Sequence, residues 1–297
     1  MINAIQKLKQ EKNAVILAHN YELPEIQDIA DFTGDSLNLS RQAAKTKADR
    51  IVFCGVHFMA ETAKIISPDK QVLLPDATAG CPMADMISAT ELREFKASYP
   101  DAVTVCYINS TAEVKAESDL CCTSANAIKV IESIPADKTI LFVPDKYLGG
   151  WATKKTGRNI VCWNGFCPTH ARITSEIILQ AKARHPEALL LVHPECRAEV
   201  CDLADKVMST GQMIAFARES HAQDFLLCTE KGILHQLIKD NPMKRFHLVS
   251  KDFICPNMKK ITLEKVYLSL KKEQFEITVN PEIAARARLS IERMLAL

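Results

Sequence analysis

Short apolar runs rich in Val, Ile and Leu alternate with stretches of helical periodicity along the whole chain. The runs are continuous rather than polar-alternating, as in Val15-Ile16-Leu17-Ala18, Val103-Thr104-Val105-Cys106 and Leu189-Leu190-Leu191-Val192. Strands of that kind are buried on both faces, the condition of a parallel sheet covered by crossover helices. Helical patterns are read at Met1–Glu11, Ser36–Lys47, Thr90–Ser98, Ser124–Ser133, Thr169–Arg184, Thr210–Ser220 and Thr262–Lys272. Pro281 followed by Glu282–Leu295 predicts a capped C-terminal helix with proline in its first turn. The fold class expected from this alternation is α/β.

The pattern repeats. Three Cys-Pro pairs, Cys81-Pro82, Cys167-Pro168 and Cys255-Pro256, stand 86 and 88 residues apart. His19, Tyr107 and His193, each at the polar end of an apolar run, are spaced by 88 and 86. Seventeen residues beyond each stands a hydroxyl residue opening a helical pattern: Ser36, Ser124 and Thr210. Further apolar runs recur in step, at Ile51–Cys54, Ile140–Val143 and Phe225–Cys228, and then just before each Cys-Pro. A period of this length is too long for a solenoid repeat and suits one small α/β layer unit. The expected division is a first unit over 1–81, a second over 82–167, a third over 168–256 and C-terminal helices over 257–297. Those last helices have no fourth partner and are expected to return to the first unit. With no Gly/Ser linker, low-complexity tract or long charge run, the units are expected to pack as one body.

Charge and composition exclude several function classes. The 37 basic and 36 acidic residues leave a net charge of +1, so no field of one sign argues for nucleic acid or a membrane surface. Aromatics are only 6%, too few for stacking platforms along a single strand. Neither a signal-peptide core nor a run of membrane-spanning length is present, so a cytoplasmic location is expected. Eleven cysteines without a secretion signal then read as reduced thiols, some of them metal ligands, rather than as a disulfide framework.

Each Cys-Pro pair follows a strand-like run and precedes a stretch with helical character. Proline favours an extended residue before it and suits a first helical turn, so the cysteine is expected near a helix N-cap, where the dipole favours a thiolate. Structural zinc usually takes four ligands, often in Cys-x₂-Cys pairs, and none exists here. A 4Fe–4S cluster held by Cys81, Cys167 and Cys255 alone would keep one iron free of protein ligation, able to act as a Lewis acid toward a bound oxygen. Cys54, Cys106, Cys162 and Cys228 lie inside apolar runs and read as small core residues, as do the adjacent Cys121 and Cys122. Cys196 and Cys201 are near enough in sequence to form a redox pair, though coincidence explains them as well.

Ligands of open α/β sheets bind beyond the carboxyl ends of the strands. His19, Asn20, Tyr21, Tyr107, Asn109, His193 and Glu195 stand there, a sufficient set for acid–base work if the units face one centre. Helix starts at Ser36, Ser124 and Thr210 offer N–H groups to an anion, although simple capping also explains each. Few Lys or Arg lie near these motifs, so an anionic substrate is expected to be held mainly by helix ends and hydroxyls. His170, three residues past Cys167, is a further candidate for the same cavity.

Taken in order, several segments resemble the quinolinate synthase family, the type A enzymes of NAD biosynthesis. They are Leu17-Ala18-His19-Asn20-Tyr21, Gly34-Asp35-Ser36, Gly80-Cys81-Pro82-Met83-Ala84, Tyr107-Ile108-Asn109, Thr123-Ser124-Ala125-Asn126, Trp163-Asn164-Gly165-Phe166-Cys167-Pro168-Thr169-His170, His193-Pro194-Glu195-Cys196 and Cys255-Pro256-Asn257-Met258-Lys259. The resemblance implies three α/β/α sandwich units with short parallel sheets about a pseudo-threefold axis. It also implies a 4Fe–4S cluster on Cys81, Cys167 and Cys255 with one iron not ligated by protein. The implied reaction condenses iminoaspartate with dihydroxyacetone phosphate to quinolinate, releasing phosphate and water, with the cluster assisting dehydration. An L-aspartate oxidase or dehydrogenase would supply the iminoaspartate, and a monomer is expected because one chain holds all three units. By matching position His19, Ser36, Tyr107, Ile108, Asn109, Ser124, His170, Pro194 and Thr210 would bind substrate, some through backbone. Tyr21, Glu195 and His193 would be catalytic, with proton transfer assigned to Tyr21 and Glu195. The C-terminal Cys-x₂-Cys-x₂-Cys segment of some members is lacking, so its redox control is not expected. Two rivals share the cysteines: another cluster-dependent hydro-lyase acting on one acid, and a zinc-holding or metal-free binding protein.

Overall fold

The computed structural model describes all of residues 1–297. Twelve strands form three separate four-stranded parallel sheets. The first holds β1 (Ala14–His19), β2 (Phe32–Gly34), β3 (Arg50–Cys54) and β4 (Gln71–Leu73). The second holds β5 (Val103–Tyr107), β6 (Leu120–Cys122), β7 (Ile140–Val143) and β8 (Ile160–Cys162). The third holds β9 (Leu189–Val192), β10 (Lys206–Val207), β11 (Asp224–Cys228) and β12 (Arg245–Leu248). All three share one order: second strand, first, third, fourth. The chain therefore reverses direction across the sheet between the first and third strands of each unit, where open parallel sheets form their ligand crevice.

The continuous apolar runs follow from burial on both faces. In the third sheet Leu190, Val192, Leu226 and Cys228 pack to one side, while Leu191, Phe225 and Leu227 pack to the other. The first sheet divides in the same way, with Ile16, Ala18, Val52 and Cys54 opposite Val15, Leu17, Ile51 and Phe53. Side chains alternate across a strand, so a strand covered on both sides must be apolar at every position. The Val15–Phe53 face is continuous with Val105, Ile140 and Phe142 of the second sheet, giving the first two sheets one shared core.

Three strands, β2, β6 and β10, are not predicted by the apolar pattern. They are edge strands of three, three and two residues, too short to show a period. The pattern read as one helix over Thr169–Arg184 is two, Pro168–Ala171 and Ser175–Arg184. Ile173 is drawn into the core of the third sheet and Thr174 is extended (φ −114°, ψ 160°), so the helix cannot continue. The helix expected from Ser124 starts at Ala127; Thr123–Asn126 is a turn closed by Asn126 Oδ1, which accepts from Thr123 N at 2.7 Å.

The C-terminal segment serves two sheets. Leu263–Lys272 packs against the N-terminal helix and β3. Phe275 and Ile277 then exchange backbone hydrogen bonds with Leu74 and Val72 beside β4. The last helix, Pro281–Leu295, lies on β6 and the helix Ala112–Ala116 and buries Ala287, Ser290, Ile291 and Met294. No helix is long and apolar enough to cross a membrane. All eleven cysteines are free thiols. The closest approach near Cys196 is to Cys228, with sulfurs 3.8 Å apart, while Cys201 Sγ faces only the carbonyls of His193 and Cys196.

Ile291 is fully buried where the last helix meets the second sheet. Ile291→Ala is expected to lower unfolding free energy by about 2–5 kcal/mol in a denaturant titration. A loss well below that range would show the helix to be a dispensable appendage.

Candidate active site

The carboxyl ends of all three sheets converge on one cavity of about 200 Å³. From the first unit come His19, Tyr21, Asp35, Ser36 and Cys81; from the second, Tyr107, Asn109, Ser124 and Cys167. From the third come His170, His193, Glu195, Thr210, Glu230 and Cys255. Two expected residues do not line it. Ile108 is buried in the shared core, with its N–H bonded to Cys122 O, and Pro194 is buried outside the lining.

Glu195 is the hub. It accepts from Tyr107 Oη at 2.5 Å and from His170 Nδ1 at 2.8 Å, with Asn109 Nδ2 at 3.5 Å. Burial opposes its ionisation, but His193, His170 and the Tyr107 hydroxyl outweigh burial and hold the carboxyl well below its usual range. The Tyr21 and Tyr107 phenols are pushed well above their usual value, chiefly by burial and then by the charge of Glu195. One ionised carboxylate therefore faces two protonated phenols.

The repeat places His19 and His193 alike. Each Nδ1 accepts the backbone N–H two residues on, from Tyr21 at 3.2 Å and from Glu195 at 3.3 Å. Burial lowers both rings to about 3, so both are neutral at physiological pH. A neutral ring that accepts at Nδ1 carries its proton on Nε2, which is left to donate into the cavity.

The helix starts differ from the simple capping expected of their hydroxyls. Asp35 caps Ser36–Lys45 and Ser209 caps Thr210–Glu219, so Ser36 and Thr210 are first helical residues whose side chains are released from capping. Thr210 Oγ1 accepts from Asn20 Nδ2 at 3.0 Å, and Ser209 Oγ donates to Asp35 Oδ2 at 3.0 Å. Gly211 permits this approach, since a Cβ there would stand 2.5 Å from Asp35 Oδ2.

Each Cys-Pro opens a single turn, and only Cys167 is the N-cap of an α-helix, the short Pro168–Ala171. Backbone N–H groups of Met83 and Ala84 reach Cys81, that of His170 reaches Cys167, and those of Asn257 and Met258 reach Cys255. The expected thiolate preference is nonetheless reversed in the metal-free chain. Burial dominates, raising Cys81 to about 12 and pushing Cys167 and Cys255 up as well. Cys81 is close enough to feel both Cys255 and Cys167. Three soft donors at one cavity, with backbone N–H groups aimed at the sulfurs, fit a thiolate-held metal centre whose positive charge would offset the desolvation. Cys167, His170 and Glu195 also bring ligand atoms within 4.8 Å of one another. Within this trio His170 Nδ1 lies 2.8 Å from Glu195 Oε2 and 3.2 Å from Cys167 Sγ, and its Nε2 lies 2.9 Å from Thr229 Oγ1.

The chain matches the family described as quinolinate synthetase A protein over residues 3–296. The chain belongs to the quinolinate synthetase A family. It is 57% identical over 297 residues to a quinolinate synthase of Desulforudis audaxviator, covering 100% of this chain and 98% of that one. It is 56% identical over 291 residues to one of Dehalococcoides mccartyi strain CBDB1, covering 98% and 96%. A quinolinate synthase of Methanosarcina barkeri is 52% identical over 296 residues, covering 100% and 97%.

Within this quinolinate synthetase A chain several site residues escape sequence reading. Thr229 bonds both Tyr21 and His170, at 2.5 and 2.9 Å, and follows an apolar run without any motif of its own. Glu230 accepts from Cys255 N at 3.2 Å and pairs with Lys259 at 3.0 Å. Arg172, exposed at the rim, is the one Arg or Lys in the lining. Only the repeat holds a signal for the first two, since the strand ends are already marked as the place to look.

Gly232 lies where the third unit meets Tyr21, and a Cβ there would stand 2.8 Å from the Tyr21 backbone. Gly232→Ala is expected to destabilise by about 1–3 kcal/mol through overpacking and to lower turnover by displacing Tyr21. Unchanged melting and turnover would show the contact to be slack.

Proposed function

We propose that this chain condenses iminoaspartate with dihydroxyacetone phosphate to quinolinate, releasing phosphate and water, in NAD biosynthesis. The single observation that carries the reading is the meeting of three Cys-Pro cysteines and the ionised Glu195 hub at one cavity, in a chain of the quinolinate synthetase A family. Both substrates are anionic. The Nε2–H groups of His19 and His193, Asn109, and the hydroxyls of Ser36, Ser124 and Thr210 are suited to their carboxylate and phosphate oxygens. Arg172 adds a charge at the mouth for the incoming phosphate.

Carbon–carbon bond formation and ring closure require protons to leave carbon and reach departing oxygen. Glu195 is ionised and able to accept; Tyr21 and Tyr107 are protonated and able to donate. His193 holds its ring between Glu195 and the cavity. Cys81, Cys167 and Cys255 would hold a 4Fe–4S cluster. When bound, such a cluster supplies a Lewis-acidic iron for expulsion of water. One cysteine closes each proposed unit, over 1–81, 82–167 and 168–256, and a monomer then contains the full set. An L-aspartate oxidase or dehydrogenase in the cytoplasm is the fitting source of iminoaspartate.

Anaerobic reconstitution with iron and sulfide, followed by assay with both substrates, tests the reading. Near-equal iron and sulfide with phosphate release that needs both substrates supports it; zinc alone, or release from a single substrate, overturns it. Cys81→Ala, Cys167→Ala and Cys255→Ala should each abolish cluster absorbance and activity, because no spare thiolate stands at the cavity. An active cluster surviving any one change would refute the ligand set. Glu195→Gln should retain the cluster and reduce turnover by about 10²-fold or more, since the amide keeps the shape without the proton acceptor. Turnover close to that of the unaltered chain would remove Glu195 from proton transfer.

A further inference from the structure

We propose that Lys259 is a positioning residue that, through Glu230, clamps the turn carrying Cys255. The inference rests on the reading above, in which Cys255 is one of three cysteines that hold the cluster. Lys259 stands four residues beyond Cys255 in the C-terminal segment, outside the cavity lining. Its Nζ lies 3.0 Å from Glu230 Oε1 and 3.2 Å from Glu230 Oε2. It also donates to the backbone carbonyl of Tyr21. Glu230 Oε1 accepts from Cys255 N at 3.2 Å, and Oε2 accepts from Gly232 N at 2.6 Å. Both ends of the turn 255–259 are therefore fastened to one carboxylate, which is itself pinned to the backbone after β11.

The backbone closes this turn less well than its two counterparts. Ala84 N bonds Cys81 O at 2.9 Å and Ala171 N bonds Cys167 O at 2.9 Å, whereas Lys259 N stands 3.4 Å from Cys255 O. Cys167 is in addition the N-cap of the helix Pro168–Ala171. Residues 249–254, which lead into Cys255, belong to no strand or helix. The direction of the Cys255 sulfur is thus left to whatever holds the turn from behind, and groups of that kind fix the donor atom of a metal ligand.

The clamp belongs to the third unit alone. Two residues beyond the third strand of each sheet stand Val56, Asp145 and Glu230. Four residues beyond each cysteine stand Asp85, Ala171 and Lys259. Val56 offers no side-chain acceptor. Asp145 Oδ1 is taken up by capping, accepting from Tyr147 N at 2.8 Å and Leu148 N at 2.9 Å. Only the third unit combines a carboxylate at the strand end with a lysine after the cysteine. This pair is largely withdrawn from water, the Glu230 side chain being 0% exposed and that of Lys259 15%. Charge-assisted bonds in such a place are strong, and removing one partner leaves the other buried without compensation.

Lys259→Met and Glu230→Gln remove the charge from either side of the pair while keeping the side-chain length. In the anaerobically reconstituted full chain, each variant is expected to lose iron to a chelator about 10-fold faster than the unaltered chain, the effect of one hydrogen bond to a charged group. Hydrogen–deuterium exchange gives a readout independent of activity. Exchange in the peptide covering 255–260 should rise about 10-fold in each variant, while peptides holding Cys81 and Cys167 keep their rates. The double variant should be no worse than the more impaired single one, because both changes act through one contact. Lys259→Met carries the test if Glu230→Gln does not fold. Faster exchange around all three cysteines would show a general loosening and overturn the clamp. Unaltered exchange around Cys255, or iron loss at the rate of the unaltered chain, would overturn it as well. An unaltered chain that takes up no cluster would sink the proposed reaction instead, and exchange around Cys255 would still decide the role of Lys259.

Discussion

A single buried carboxylate, Glu195, is the constraint on which the site depends. Removing its charge from water is unfavourable unless donors surround it. Those donors come from different parts of the chain: Tyr107 at the end of β5, and His170 in the turn after Cys167. A polar group of this kind is satisfied only when the units are docked in register. It therefore acts as a test of assembly, being stable when all partners arrive and strongly unfavourable when one is missing. The same constraint fixes the protonation of its neighbours, because burial beside a negative charge keeps both phenols neutral.

Triplication provides the geometry. Each unit is a four-stranded sheet with the same strand order, so each has one crevice at the ends of its first and third strands. Three crevices turned toward one another enclose a cavity that no single sheet of this size could form. The same operation delivers one Cys-Pro turn from each unit to the cavity wall. The repeat also explains paired details, such as the backbone N–H of Tyr21 and of Glu195 meeting Nδ1 of His19 and His193. Where the copies diverge, as at Tyr21, Asn109 and Glu195, each two residues beyond its repeat mark, the symmetric frame carries an asymmetric site.

Much of this frame is legible in the residues. Runs such as Leu189-Leu190-Leu191-Val192 indicate strands covered on both faces, and the sheets are of that kind. The edge strands β2, β6 and β10 are not legible, because two or three residues carry no period and are recruited by a neighbour already in place. The break between Ala171 and Ser175 is hidden for a similar reason. The local pattern there is helical, and it is the core beneath Ile173 that interrupts it. Cysteine protonation was misjudged from sequence because the helix dipole is a local quantity and desolvation is not.

The order of elements, the threefold spacing and the identity of the chemical groups at strand ends were determined by the sequence alone. They rest on local rules: side-chain alternation, capping and the backbone limits of proline. Only the tertiary structure decided which groups meet and which of them are held charged or neutral. Those properties depend on distances of a few ångströms between residues far apart in sequence, such as the contact of Tyr21 with Thr229. They depend equally on water being excluded from between them, which no segment of the chain can accomplish by itself.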